Sequence, residues 1–464
     1  IVDELVNLGF KVEIIKSKTL EDIASSILLL GDVVGKKNEA KKIANEFKTG
    51  IKYLKDTFQK GDYENCINLG EIFTKKFPTK GDGWNILALA YKETGRTENA
   101  IKIFKFLVKQ LPQLLYYKEN LSNLYLKAGR LEEAQKTSIE IIDINPKSEV
   151  GLINLGLVFV EKNEIDNAKS TFKKLIEINP MNSIANYHLG NIYKNQKEYK
   201  SALKYFKKST HKHSKSNYLE ILLCNNEPEE LFKEYESLKE KDKANPLLGG
   251  VIEHASILYG RKNMQSYCND IFKYISLQQL KNDIFSDYDC QRIIDLHKNE
   301  KISYRKQKML FNGKQSSGNI FTSEDQSIIN LKKCIEDQLT SYKNKYKGHN
   351  QLFLKYWPVK INLFGWIVTM KSGGFLEWHN HKEGWISGSF YLHVPVRNSE
   401  KNSGSIAFTN EGPLYPKKEN LFHTKTFQVK TRDICLFPSS IFHSTIPNNS
   451  NEERIVFVFD LFPE

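Results

Sequence analysis

The 464-residue sequence has no closely spaced cysteines. Its six, Cys66, Cys224, Cys268, Cys290, Cys334 and Cys435, are scattered, and none form a C-x-x-C pair. That pattern excludes a disulfide framework and a knuckle-type zinc site, and it fits a reducing compartment, so the expected location is cytoplasmic. No apolar run approaches a membrane span and no secretory signal is visible, so no membrane partner is expected. Arginine is also scarce, with eight among the 68 Lys and Arg residues. The formal charge of +13 therefore rests on lysine, spread along the chain among Asn and Ile. Dispersed lysine describes solvated helix faces better than a nucleic-acid surface, and no nucleic-acid partner is expected. What is present is ordinary for globular domains: 40% hydrophobic and 12% aromatic residues, in a chain long enough for two or three cores.

The middle of the chain repeats itself. Pro78, Pro112, Pro146 and Pro180 keep one spacing. Gly61, Gly95 and Gly129 share it, with Asn163 in the next slot. Three more registers agree: Ala100, Ala134, Ala168 and Ala202; Leu87, Leu121, Leu155 and Leu189; Tyr91, Tyr125, Phe159 and Tyr193. The Leu and aromatic positions, four apart, share one face of a first helix. Ala88, Ser122, Gly156 and Gly190 let a second helix approach closely. Glycine or Asn163 suits a left-handed turn between helices, and proline stops the second helix. This pattern resembles the tetratricopeptide repeat over residues 48–213, with Cys66 and Gly70 marking a weaker first repeat. Such repeats stack into a superhelix whose groove takes a protein or peptide partner. By register Asn85, Lys92, Asn123 and Asn191 should face that groove. The alternative is an array that only spaces or dimerises its neighbour. Residues 214–280 read as a helical connector or cap.

Residues 1–47 read as a helical lead-in or a fusion remnant, with residues 19–47 as one long helix, a turn and another helix. Thr19, Leu20, Glu21, Asp22, Ile23, Leu30, Gly31, Gly35 and Ala40 resemble a fragment of the helical-backbone periplasmic binding proteins of metal and vitamin uptake. The fragment is too short for a ligand cleft, and it is assigned no function.

From about residue 350 short aromatic and β-branched runs appear, separated by Gly, Pro, Asn and Ser, and they predict a β-sandwich or barrel. A helix is expected near 323–344. Five of the eleven histidines fall between His379 and His443. His379 and His381 are two apart, so on a strand both imidazoles face one side. His443 follows a later strand and turn. Two ligands from one strand and one from another make a facial triad with open positions for co-substrate and oxygen. The rival pair is His381 with Glu383, which would supply a carboxylate; the turn after Gly384 favours His379 with His381. Arg454 opens the run RIVFVF, where a planar guanidinium can hold a carboxylate through two hydrogen bonds, or form a structural ion pair. Tyr391 should face inward and add a hydroxyl. His393, two residues on, should also face inward, lining a substrate pocket or buried in the core. Trp366 and Trp385 are expected in the core, and His423 is left unassigned.

Together, H-x-H-x-x-G-W-I-S, F-Y-L-x-V-P, L-F-P-S-x-x-x-H-x-T-x-P, E-R and F-D-x-x-P make residues 281–464 resemble the bacterial 2-oxoglutarate- and iron(II)-dependent oxygenases that carry tetratricopeptide repeats. The fold class is then an α-solenoid followed by a double-stranded β-helix, or jelly roll. The resemblance implies Fe(II) on His379, His381 and His443, with His381 where a carboxylate usually stands. It implies 2-oxoglutarate anchored by Arg454 with Tyr391, and hydroxylation of a protein or peptide that the repeats recruit. The chain departs from the pattern at Lys382, where Pro is expected, and at Arg432, where Gly is expected; neither should touch the metal. Two other readings stay open: a three-His dioxygenase that needs no 2-oxoglutarate, and a non-enzymatic scaffold with an inactive roll.

Overall fold

The computed structural model describes residues 20–78, 81–261, 264–299, 304–305, 307–396 and 402–463. Residues 1–19 of the lead-in lie outside them. The chain divides into two compact units, Ile1–Ile192 and Tyr193–Glu464.

The first unit is a succession of packed helices, from Leu20–Val33 and Lys37–Gln59 through Glu149–Glu161 and Ile165–Ile178. The registers have their physical counterparts here. Ala100, Ala134 and Ala168 are fully buried. Gly61, Gly95, Gly129 and Asn163 all have φ between +60° and +77°, the left-handed conformation that ends one helix and aims the next. A Cβ on Gly156 would stand 2.6 Å from the Phe172 ring, which explains the small residue at that slot. Ser122, in the equivalent place, instead bonds Ser138 Oγ at 2.7 Å and accepts from Asn154 Nδ2 at 3.3 Å. Of the residues expected on the groove, Asn123 is exposed and Asn85, Lys92 and Asn191 are half-buried.

From residue 20 the chain forms two helices, Leu20–Val33 and Lys37–Gln59, joined by a turn with Gly35 at φ +72°. A Cβ on Gly31 would overlap that of Ala40 at 2.1 Å, so the pair is tightly closed. The helix Lys37–Gln59 runs through residues 47 and 48 without a break. Its Phe47, Ile51 and Leu54 share a core with Cys66, Ile67 and Phe73 of the next helix, because the apolar face continues at helical spacing across the whole segment.

The second unit joins helices such as Ser214–Cys224 and Pro246–Leu258 to a two-sheet β-roll. Its strands are β1 (Ser276–Gln279), β2 (Tyr304–Arg305), β3 (Leu310–Ser316), β4 (Ile361–Leu376), β5 (Ile386–His393), β6 (Ile406–Thr409), β7 (Thr424–Phe427), β8 (Asp433–Pro438), β9 (Phe442–Thr445) and β10 (Arg454–Pro463). The larger sheet has the order β1-β8-β5-β10-β4-β3-β2 and the smaller β7-β6-β9. All the strand pairs are antiparallel. Strands β1 to β3 lie outside the predicted β region, because SLQQ and LFNGKQS lack its aromatic and β-branched density. The helix expected near 323–344 is Gln326–Lys345; Leu331, Ile335 and Leu339 on it join the same core as β5, β8 and β10. All six cysteines are free thiols. Among the described residues no helix is long and apolar enough to cross a membrane.

Candidate metal centre

The geometry begins with a short extended segment between β4 and β5. His379 and β9 residue His443 exchange backbone hydrogen bonds at 3.0 and 2.8 Å, and His381 N–H donates to Ser439 O at 3.1 Å. The segment is therefore a bridge onto the smaller sheet rather than a strand proper, yet it is extended enough that the two-residue spacing holds. His379, His381 and His443 come together, with one ring nitrogen from each lying within 4.8 Å of the others.

Each imidazole is oriented from behind. His379 Nδ1 meets Glu377 O at 2.7 Å, His443 Nδ1 meets Ile441 O at 3.3 Å, and His381 Nδ1 meets the Asp460 carboxylate at 2.6 Å. These acceptors select the tautomer with hydrogen on Nδ1 and leave the Nε2 lone pair of each ring free for a metal. Burial, helped by the neighbouring His381, lowers the His379 pKa to about 4. Burial also drives His443 well below the usual histidine range, with His379 and His381 adding to the effect. Neutral imidazoles are the form that binds a metal.

The histidines line a cavity of about 380 Å³ that also holds Arg454 and Tyr391. Arg454 opens β10 opposite Met370 on β4 and is 3% exposed. Its guanidinium lies over the Tyr391 ring, 5.1 Å from the centroid, with Nη1 3.6 Å from Met370 Sδ. Burial raises the Tyr391 pKa, and the Arg454 charge works against that rise. The buried Tyr391 hydroxyl has Ser389 as a neighbour in the lining and no well-formed hydrogen-bond partner.

Several expectations change. Glu383 turns to Lys212 Nζ at 3.2 Å and His213 Nε2 at 3.1 Å and is not part of the three-histidine cluster, although it reaches the cavity wall. Burial raises its pKa, but Lys212 and His213 outweigh that and the net direction is down. His393 does not face inward with Tyr391. A bulge on β5 at Leu392, which has no partner between Ile455 and Val456 of β10, breaks the alternation, and His393 pairs with Glu452 at 3.0 Å on the outside. Trp366 leaves the core for the cavity wall, its ring 5.9 Å from that of His381. Trp385 stays in the core and donates to Phe353 O at 2.9 Å. His423 contributes backbone bonds to Thr409 and Asn410. Lys382 lines the cavity, and Arg432 has φ +67°, the backbone state that makes glycine the expected residue there.

Asp460 was missed. Its signal is its place in RIVFVFDLF, the one carboxylate inside an otherwise apolar strand. Gln315, on the unforeseen β3, also lines the cavity.

Residues 365–460 match the family model described as "Putative 2OG-Fe(II) oxygenase". Tetratricopeptide-repeat models match residues 81–108, 116–148 and 153–217. A search of curated proteins returns no match. Among solved structures, MamA from Desulfovibrio magneticus is 16% identical, with 35% of this chain and 91% of that one covered and a TM-score of 0.33. A thermophilic tetratricopeptide-repeat protein of Thermus thermophilus is 20% identical, with 38% and 98% covered and a TM-score of 0.32. A tetratricopeptide-repeat protein from Parabacteroides merdae is 15% identical, with 46% and 86% covered and a TM-score of 0.39. The chain thus joins tetratricopeptide repeats to a C-terminal domain of that 2OG-Fe(II) oxygenase family.

Proposed function

We propose that the protein is a 2-oxoglutarate- and iron(II)-dependent oxygenase that hydroxylates a protein or peptide recruited by its repeats. The observation that carries this reading is the convergence of three Nδ1-anchored histidines in the cavity that also holds buried Arg454. The donor set fits the metal: three imidazoles lie close together, each with an acceptor fixing its Nδ1. Iron(II), when bound, would couple the reduction of dioxygen to the oxidative decarboxylation of 2-oxoglutarate, one oxygen atom ending in succinate beside carbon dioxide and the other in the hydroxylated product.

The chain's own residues bind and orient. His379, His381 and His443 would hold the metal. Arg454 presents its fork to the distal carboxylate of 2-oxoglutarate, and the Tyr391 hydroxyl supplies a further donor. Trp366, Val458 and Phe462 make an apolar wall that sheds water from the reacting face. Asn380, Lys382 and Glu383 offer polar contacts to an incoming substrate.

The test is succinate release from 2-oxoglutarate by the full chain with iron(II) and oxygen, alongside bound iron in the wild type and single His→Ala variants. Expected are 2-oxoglutarate-dependent succinate and loss of iron in His379→Ala, His381→Ala and His443→Ala. Iron retained in His379→Ala but lost in Glu383→Ala would replace the ligand set. Iron bound without succinate would favour an oxygenase that needs no 2-oxoglutarate. No iron bound at all would favour a scaffold.

A further inference from the structure

The ligand set is three imidazoles, with no carboxylate among them. A carboxylate stands directly behind one of them. Asp460 Oδ1 lies 2.6 Å from His381 Nδ1, and Asp460 is 5% exposed. On the neighbouring strand Ser387 is its register partner, and Ser387 Oγ donates to the same Oδ1 at 2.6 Å. Ser387 Oγ also lies 2.7 Å from Ser439 Oγ. Ser387 and Ser439 are fully buried, while Ser439 O receives the His381 backbone N–H. The two serines therefore grip both the carboxylate and the backbone of the histidine it faces. Space is reserved for this network: a Cβ on Gly384 would stand 2.9 Å from Ser439 Oγ and 3.0 Å from Asp460 Cγ.

Burying a carboxylate is costly unless it is hydrogen-bonded or paired. Here its partners are a serine hydroxyl and the Nδ1 of the His381 imidazole. Resting on the metal-centre reading above, we propose that Asp460 is the positioning residue of His381 and supplies, one hydrogen bond out, the negative charge that the three-histidine set lacks. It fixes the His381 ring and makes its Nε2 a stronger donor. Ser387, Ser439 and Gly384 hold Asp460 in place.

Cobalt(II), a redox-inert stand-in for iron(II), gives a readout that does not depend on turnover. Its affinity for the full chain is measured by chelator competition, and its visible d–d bands report ligand strength. Asp460→Asn keeps the shape and removes the charge; it is expected to weaken cobalt binding about 10–100-fold and to shift the d–d bands, with metal-free melting little changed. Wild-type affinity and bands in Asp460→Asn would overturn the proposal. So would a loss of metal-free stability with unaltered bands, which would mark a purely structural residue. Should Asp460→Asn not fold, Ser387→Ala keeps the carboxylate and removes its donor; several-fold weaker binding is expected, and unchanged binding overturns the proposal. Wild type that binds no cobalt would instead remove the metal-centre reading itself.

Discussion

At Gly129, in a turn between two repeat helices, φ is +71° and a Cβ would meet nothing within 4 Å. At Gly388, in the middle of β5, φ is not positive, and a Cβ would stand 2.2 Å from the Phe459 ring. The first glycine serves backbone conformation, the second space. Conformation can be met by other residues that tolerate a left-handed turn, and the repeats show this: Asn163 occupies the next turn at φ +60°, and Lys197 the one after at φ +61°. Space has no such substitute. A repeat position is thus one of a series whose members vary, whereas a position in the roll is tied to its own neighbours.

Substitutions can break this comparison. The largest effect is expected at Gly388→Ala, where the Phe459 ring must move within a closed core, costing about 3 kcal/mol. Tryptophan fluorescence during urea unfolding reports it, since four of the five tryptophans lie between Trp357 and Trp385. Gly129→Ala is expected to cost about 1 kcal/mol, from its positive φ alone, seen as a shift in the far-ultraviolet melting of the helices. A larger cost at Gly129 than at Gly388 would reverse the comparison. Asn163→Gly is expected to change stability by less than about 0.5 kcal/mol by the same melting, since asparagine tolerates the left-handed state.

A fourth test turns on charge in the second unit. Burial, helped by the charge of Asp270, raises the Glu253 pKa to about 7. The folded state then holds this proton more tightly than the unfolded chain, whose ordinary value is 4.5. The stability tied to Glu253 is therefore present below pH 4.5 and is lost as pH rises through 7. Glu253→Gln should melt higher than wild type above pH 7 and equal to it below pH 4.5, by calorimetry across that range. Equal melting at pH 8 would show that Glu253 is not held in this way.

The same contrast explains what could be read from the sequence. The repeats were legible because their period is printed several times over: the Ala100 series and the left-handed turns each recur at one spacing. The three histidines were legible because spacing of two on an extended segment brings side chains to one face, whatever the segment's pairing. What was hidden depended on contacts across strands. The bulge at Leu392 turns His393 outward, and nothing local to His393 announces it. Trp366 faces the cavity because of the phase of β4, which an aromatic run such as INLFGWIVTM does not disclose. Asp460 meets His381 across 79 residues of chain; the motif F-D-x-x-P and its isolation in the strand marked it, but neither disclosed its partner. The helix through residues 47 and 48 was hidden for a milder reason: the repeat register begins inside it, while the helix itself begins earlier.

The central claim is that His379, His381 and His443 hold iron while Arg454 holds 2-oxoglutarate in the same cavity. The most direct measurement is visible absorption of the full chain under anaerobic conditions, on adding iron(II) and then 2-oxoglutarate. A metal-to-ligand charge-transfer band is expected that appears only with both additions, is absent in His443→Ala, and needs much higher 2-oxoglutarate in Arg454→Ala. No band in the wild type, or a band equally strong in His443→Ala, would contradict it.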